Sequence, residues 1–248
     1  MQRRTFLLGG LMASVGSSAV AGDDLWSFGR GLFGRISKGK PTPDADLGLS
    51  ARLADTGLRD ALRIGVDVVV NQLGVPGGFW ADGKIRIPLP GVIERVRKNV
   101  SFFGLSGPFD ELHSKINQGA ENAIPAGKAL LMDAVSTLSV VDAVAIVQGP
   151  DTGATEYLRA RMGDGLAQAF RPLIEQTLDD TGSLKLADRV GSRYGFSKLG
   201  GNLRGSLSDH VVEQTLRGLF YYLGEQEKNI RANPFQFASK TVQQVFGR

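Results

Sequence analysis

The densest group of side chains that could do chemistry lies between positions 142 and 157. In a helix that begins near position 151, Thr152, Thr155 and Glu156 share one face, because positions three and four apart are neighbours. Such a face is typical of a polar pocket, in which carboxyl groups could act as acid and base. It is also typical of groups that cap a helix and face solvent. The whole group consists of Asp142, Asp151, Thr152, Thr155, Glu156 and Tyr157.

A second polar group lies near the C-terminus. Glu227 and Arg231 are four positions apart, in the order that favours a surface ion pair on a helix. Glu225 and Glu227 point to different helix faces, so their spacing does not predict an acid–base pair.

Motifs for phosphate, metal or nucleophilic chemistry are incomplete in this chain. A G-x-G-x-x-G pattern at residues 29–34 lacks the preceding strand that a dinucleotide site needs. A phosphate-loop pattern at residues 34–40 continues with Pro41, where Ser or Thr is required. His113 and His210 lack the spacing of metal ligands, and the chain contains no cysteine. We therefore expect no cofactor and no metal, and an enzyme is the less favoured interpretation.

The first residues have the pattern of an export signal. Arg3 and Arg4 precede an apolar run, and Ala-Val-Ala at residues 19–21 fits a cleavage site. The run is shorter than the ~20 apolar residues that span a bilayer. The two arginines are similar to a twin-arginine signal, although Gln2 stands where Ser or Thr is usual. We predict a signal peptide of the twin-arginine type at residues 1–21 and a periplasmic location in a bacterium.

The charge of the chain is close to balanced once the signal is removed. The full chain has a formal charge of +4. Cleavage after Ala21 removes two arginines and no acid, which leaves 27 basic and 25 acidic residues and a charge of +2. Nucleic acid is therefore not an expected partner, because such binding depends on an excess of basic groups.

Residues 22–48 are predicted to be a basic, aromatic linker that ends near two prolines. One interpretation is a segment that contacts an anionic membrane surface or a protein partner. The other is an arm that is poorly ordered or folds against the domain. The residues that suggest membrane contact are Trp26, Phe28, Arg30, Phe33, Arg35, Lys38 and Lys40.

From about position 49 the chain has the apolar spacing of α-helices. Leu58, Leu62 and Gly65 follow one another at steps of four and three residues, which is one face of a helix. Strict alternation of polar and apolar residues is almost absent, so a sheet is not expected. We predict an all-α fold, with a single multi-helix, bundle-like domain over residues 49–248.

Proline and glycine residues set the predicted helix boundaries. Ile-Pro-Leu-Pro at residues 87–90 must be extended, because a residue before proline is pushed out of the α region. Pro125 predicts the first turn of a new helix, and a break is expected at residues 163–165. Residues 195–205 are predicted to be a glycine-rich loop, and Pro234 is expected to open the last helix.

Several separated segments, taken in order, resemble the bacterial family catalogued as domain of unknown function 4197. The resemblance covers residues 53–247. It implies an exported, helical protein of unassigned function, and it supplies no catalytic residue. The segments are Ile85-Arg-Ile-Pro-Leu-Pro-Gly91, Ala120-Glu-Asn-Ala-Ile-Pro125, Asp142-Ala, Gly149-Pro-Asp-Thr-Gly-Ala-Thr155-Glu-Tyr157-Leu-Arg159, Phe170-Arg-Pro172, Gly218-Leu-Phe220 and Glu227-Lys-Asn-Ile-Arg231-Ala-Asn-Pro234.

These observations favour a non-enzymatic binding or envelope-associated protein. Its partner would be an envelope protein or a small hydrophobic ligand held between helices, where bundles often form pockets. One alternative is an enzyme that uses the carboxyl groups of Asp142, Asp151 and Glu156. Another is a scaffold that docks to a membrane or a protein through residues 25–40.

Overall fold

The structure, a computed structural model, describes residues 49–195 and 203–247. Within these residues eight α-helices occur and no strand, so the predicted all-α fold is confirmed. A short 3-10 helix, Pro234–Gln236, lies between the last two helices. The helices are α1 (Leu49–Leu73), α2 (Gly91–Ser101), α3 (Gly107–Ser136), α4 (Val140–Val147), α5 (Gly153–Asp180), α6 (Ser183–Arg193), α7 (Leu203–Ala232) and α8 (Lys240–Phe246).

The predicted signal peptide, residues 1–21, and the predicted linker, residues 22–48, lie outside the described residues. Most of the loop predicted at residues 195–205 also lies outside them. Helix α7 nevertheless begins at Leu203, inside that predicted loop. Leu207, in the second turn of α7, is fully buried in the core. The burial of this side chain stabilises the first turns of the helix.

Helices α3, α5 and α7 form the centre of the domain, with α5 packed extensively against both of the others. Helix α1 packs against α3, α4, α7 and α8. The largest side chains of the shared core, Phe79, Phe109 and Phe170, are fully buried. Gly127 allows α3 and α5 to approach closely, because a Cβ atom there would lie 2.1 Å from Cζ of Phe170. Burial of this apolar surface, at about 25 cal/mol per Å², stabilises the arrangement.

Two predicted helix breaks are wrong. Helix α3 continues through Pro125, and α5 continues through Gly163 and Gly165. Proline removes one helical hydrogen bond, and each glycine costs about 1 kcal/mol in a helix. Packing offsets these local costs, since the ring of Pro125 lies against Gly74 at the end of α1. The last helix also begins later than predicted, because Pro234 starts only the 3-10 helix.

The extended segment predicted at residues 87–90 is confirmed. Ile85, Ile87 and Leu89 are buried, whereas the residues between them are exposed, so the segment lies along the body with alternate side chains inside. Asn117 on α3 holds it in place. Its Oδ1 accepts a hydrogen bond of 2.8 Å from the Ile87 N–H, and its Nδ2 donates one of 3.0 Å to the Ile87 carbonyl. The segment is therefore part of the core wall.

No single helix among residues 49–195 and 203–247 has both the length and the apolar character needed to cross a membrane. Helices α3 and α4 meet these criteria only as a pair, and they are bent by 96° relative to each other.

Candidate functional site

The predicted polar group lies on α4 and at the start of α5. Asp142 is in the first turn of α4, and residues 152–157 occupy the start of α5. The side chains form three separate hydrogen-bonded sets, each with its own partners.

The first set joins Asp142, Ser139 and Tyr157. Ser139 precedes α4, and its Oγ accepts a hydrogen bond of 3.2 Å from the Asp142 N–H. Oδ2 of Asp142 accepts hydrogen bonds from the hydroxyls of Ser139, at 2.6 Å, and Tyr157, at 2.7 Å. Burial and the hydrogen bond to Asp142 raise the pKa of Tyr157 to about 12. This set ties α4 to α5.

The second set is partly buried. The hydroxyl of Thr152 donates a hydrogen bond of 2.7 Å to Oε1 of Glu156. Thr152 occupies the position before α5, but its side chain makes no capping hydrogen bond. Asp151 is exposed. The helix start must therefore be capped by another residue.

Glu227 on α7 is that residue, and it forms the third set. Its Oε1 accepts a hydrogen bond of 2.9 Å from the Ala154 N–H, and its Oε2 accepts one of 2.8 Å from the Thr155 N–H. The Thr155 hydroxyl donates another of 2.8 Å to Oε2. A carboxylate at the N-terminus of a helix also interacts favourably with the helix dipole.

Arg231 pairs with Glu227 and caps the C-terminal end of α4. Its guanidinium lies 2.9 Å from Oε1 of Glu227 and donates hydrogen bonds of 3.0 and 3.1 Å to the carbonyls of Ile146 and Val147. The two side chains are only 6% exposed for Glu227 and 10% for Arg231. The predicted ion pair is confirmed, but its predicted position at the surface is wrong, because this face of α7 is covered by the corner between α4 and α5. One buried pair satisfies the end of α4 and the start of α5 together.

A second buried carboxylate holds the loop after α1. Oε1 of Glu121 on α3 accepts hydrogen bonds of 3.0 Å from the N–H groups of both Phe79 and Trp80. Its Oε2 accepts one of 3.1 Å from the Gly77 N–H. Gly77 has φ of 88°, which favours glycine and lets the loop curl around the carboxylate. Sequence reasoning missed Glu121, because no local spacing connects it with a loop 44 residues away.

The two histidines lie apart from these carboxylates. Nε2 of His210 is hydrogen-bonded at 2.8 Å to the carbonyl of Pro88. The ring of His113 packs edge-on against Trp80, with centroids 5.0 Å apart, and burial lowers the pKa of His113. Across residues 49–195 and 203–247, no group of three or more His, Asp or Glu side chains is placed to hold a metal ion.

An apolar groove of about 290 Å³ lies between α1, α4 and α8. It is partly open to solvent. Six of its seven lining residues are aliphatic, and none is charged. The lining residues are Ala51, Leu53, Ala54, Val144, Val147, Gln148 and Val245.

Replacing Asp142 with asparagine is expected to lower the pKa of Tyr157 from about 12 towards the ordinary tyrosine value near 10. Burial, the larger cause, is unchanged by the substitution, so the decrease is partial. Phenolate absorbance during an alkaline titration measures the shift, and Tyr157→Phe assigns the signal. Asp151→Asn is the control and should titrate like the parent. A D142N protein that titrates like the parent would contradict the hydrogen bond.

The same titration has a consequence for stability. Because the phenol of Tyr157 is harder to ionise in the folded protein, the folded state binds more protons than the unfolded chain between about pH 10 and 12. The stabilisation from this group is complete below that range and is lost as the pH rises through it.

The chain belongs to the family described as Protein of unknown function (DUF4197), whose model matches residues 48–247. The predicted membership is therefore confirmed. No curated protein and no solved structure matches the chain. Three of the segments that suggested the family contain the buried groups described above, namely Glu121, Thr155 and the pair of Glu227 with Arg231.

Proposed function

We propose that this protein is a non-enzymatic binding protein of the bacterial envelope, which holds an apolar ligand in the groove between α1, α4 and α8. The groove itself is the observation that carries the proposal. Its volume of about 290 Å³ is close to the lower limit of ligand pockets, which is roughly 300 Å³. The export pattern at residues 1–21 supports a periplasmic location.

The chemistry of the groove indicates the class of ligand. Its walls offer aliphatic side chains from three helices and one amide, Gln148. A charged ligand atom would lose its hydration there without gaining a partner, which is costly. An aliphatic chain, such as the acyl portion of a lipid, loses no hydrogen bonds, and the amide could bind a polar end. We therefore assign the groove to an acyl or similar aliphatic chain.

The use of the carboxyl groups supports binding over catalysis. Glu227 accepts hydrogen bonds on both oxygens and pairs with Arg231. Oδ2 of Asp142 accepts two hydroxyls, and Oε1 of Glu156 accepts the hydroxyl of Thr152. Asp151 is exposed on the surface. Glu227 and Asp142 position helix ends, and none of the four carboxyl groups lines the groove.

Filling the groove tests the proposal. Ala54→Phe and Val144→Phe introduce rings from two of its walls, and Ala160→Phe places the same ring on the exposed face of α5 as the control. Native mass spectrometry of protein purified without detergent should show a bound lipid-like mass in the parent and in A160F. A fluorescent fatty-acid probe should bind A54F and V144F roughly tenfold more weakly, since little free volume remains.

The melting temperature of each variant separates loss of ligand from loss of fold. A54F and V144F that stay folded and bind the probe like the parent would overturn the groove as the binding site. A parent protein that carries no ligand and binds no probe would overturn the function.

A further inference from the structure

The corner between α2 and α3 exposes three large apolar side chains. Phe102 is 88% exposed, Phe103 72% and Leu105 46%. The two rings pack edge to face, with centroids 5.4 Å apart. Gly104, with φ of 70°, makes the turn between them and Leu105. Single exposed apolar residues are common, but three together at a protruding turn mark a contact surface.

Helix α2 continues this surface along its outer face. Ile93 is the only fully buried residue of α2, so the helix lies on the body by one side. Val92, Arg95 and Lys98 are exposed on the other side, at steps of three residues that lead to Phe102. The corner is therefore the end of an amphipathic helix whose outer face mixes apolar and basic groups.

The unpaired charge at this corner is positive. Arg97 forms hydrogen bonds of 2.8 Å to Glu94 and 3.0 Å to Asp110, so both nearby carboxylates are already paired. Arg95 and Lys98 have no carboxylate within ion-pair distance in the described part of the chain.

Helix α6 adds a further basic residue at the same end of the molecule. The ring of Tyr194 packs against Phe109 in the first turn of α3, with centroids 4.9 Å apart. The neighbouring Arg193 is exposed. Glu111, one turn further along α3, lies 3.8 Å from Lys115. This end of the domain therefore combines exposed aromatic groups with available cations.

We propose that this corner docks on the anionic surface of a lipid bilayer. Phe102, Phe103 and Leu105 insert among the acyl chains at the interface, and Arg95 and Lys98 lie at the headgroups. Exposed aromatic residues beside cations are the combination that binds anionic interfaces. A protruding tip with mostly exposed rings suits insertion into a soft interface better than a flat contact with another protein. The corner is separate from the apolar groove, so either proposal can fail alone.

The absence of cysteine allows a matched pair of labels on the full chain. Ser101 and Ser136 each end a helix, are exposed and donate a hydroxyl hydrogen bond to the carbonyl three residues earlier. Ser136 lies at the far end of α3, roughly 40 Å from the corner at 1.5 Å per residue. S101C and S136C are labelled with a polarity-sensitive fluorophore and mixed with phosphatidylglycerol–phosphatidylethanolamine or phosphatidylcholine vesicles.

The label on S101C should shift to the blue with the anionic vesicles and much less with phosphatidylcholine, and added salt should weaken the shift. The label on S136C should not shift. A Phe102→Ser, Phe103→Ser double variant of S101C should bind anionic vesicles roughly tenfold more weakly. The matched control is Phe235→Ser, which removes a ring that is 70% exposed elsewhere.

Two outcomes would overturn the proposal. The first is that both labels shift equally, or that the double variant binds vesicles as well as its parent. Either result would mean that another part of the chain binds the lipid. The other is self-association in sedimentation velocity that the double variant abolishes while no vesicle binding occurs. That result would assign the corner to a second copy of the chain.

Discussion

Replacing Glu227 with glutamine is expected to lower the free energy of unfolding by about 3–5 kcal/mol, the usual effect of breaking a buried ion pair. The substitution leaves Arg231 charged and buried without its counter-ion. It also turns one of the two acceptor oxygens into an amide donor, which would face either the Thr155 N–H and hydroxyl or the Ala154 N–H. The start of α5 would lose part of its capping.

Urea unfolding followed by circular dichroism measures this effect. Glu225→Gln is the matched control, because Glu225 lies two residues earlier on the same helix but pairs with Lys228 at the surface. Its effect should stay below about 1 kcal/mol. A second substitution, Arg231→Gln, should restore part of the stability lost in E227Q, because no buried charge then remains. If E227Q and E225Q were equally stable, the carboxylate would not be capping α5.

The parts of the fold that depend on local rules could be predicted from the sequence. The apolar spacing after position 49 predicted α1, and the prolines at 88 and 90 predicted the extended segment. The continuous α3 and α5 could not be predicted, since their interruptions at Pro125 and Gly163 have a local cost. That cost is offset only by partners distant in sequence, such as Gly74 against the ring of Pro125.

The site shows the same division between local and distant information. Sequence reasoning found the polar residues at the start of α5 by their type and position, but Thr152, which stands at the capping position, makes no capping hydrogen bond. It could not show that the partner of Thr155 is Glu227, which is 72 residues away. The four-residue spacing of Glu227 and Arg231 predicts an ion pair but not whether the helix face is covered. Whether the pair is buried depends on how the helices pack. Burial is what turns a pair with little effect on stability into one whose loss is strongly destabilising.

Replacing Glu121 with alanine is expected to lower the free energy of unfolding by about 3–5 kcal/mol, because a buried donor left without a partner costs about 1–3 kcal/mol and two part-buried donors cost less each. The N–H groups of Gly77, Phe79 and Trp80 would lose their acceptor, and water cannot easily replace it at Phe79, which is fully buried. Glu121→Gln should have a smaller effect, because its remaining oxygen can still accept two of the three hydrogen bonds.

The two variants also separate loss of stability from local loosening of the loop. Trp80 lies in the loop that Glu121 holds, and Trp26 is the only other tryptophan, so a change in emission reports on the loop. Emission of E121A should move to longer wavelength before global unfolding, whereas Glu111→Ala, an exposed site on the same helix, should behave like the parent. An E121A protein with parental stability and emission would mean that the loop is held by the burial of Phe79 alone. If E121A is less stable than the parent and its emission is shifted, the carboxylate of Glu121 is the group that fixes the loop. The loop continues into residues 85–91, so the same carboxylate helps to hold that wall of the core.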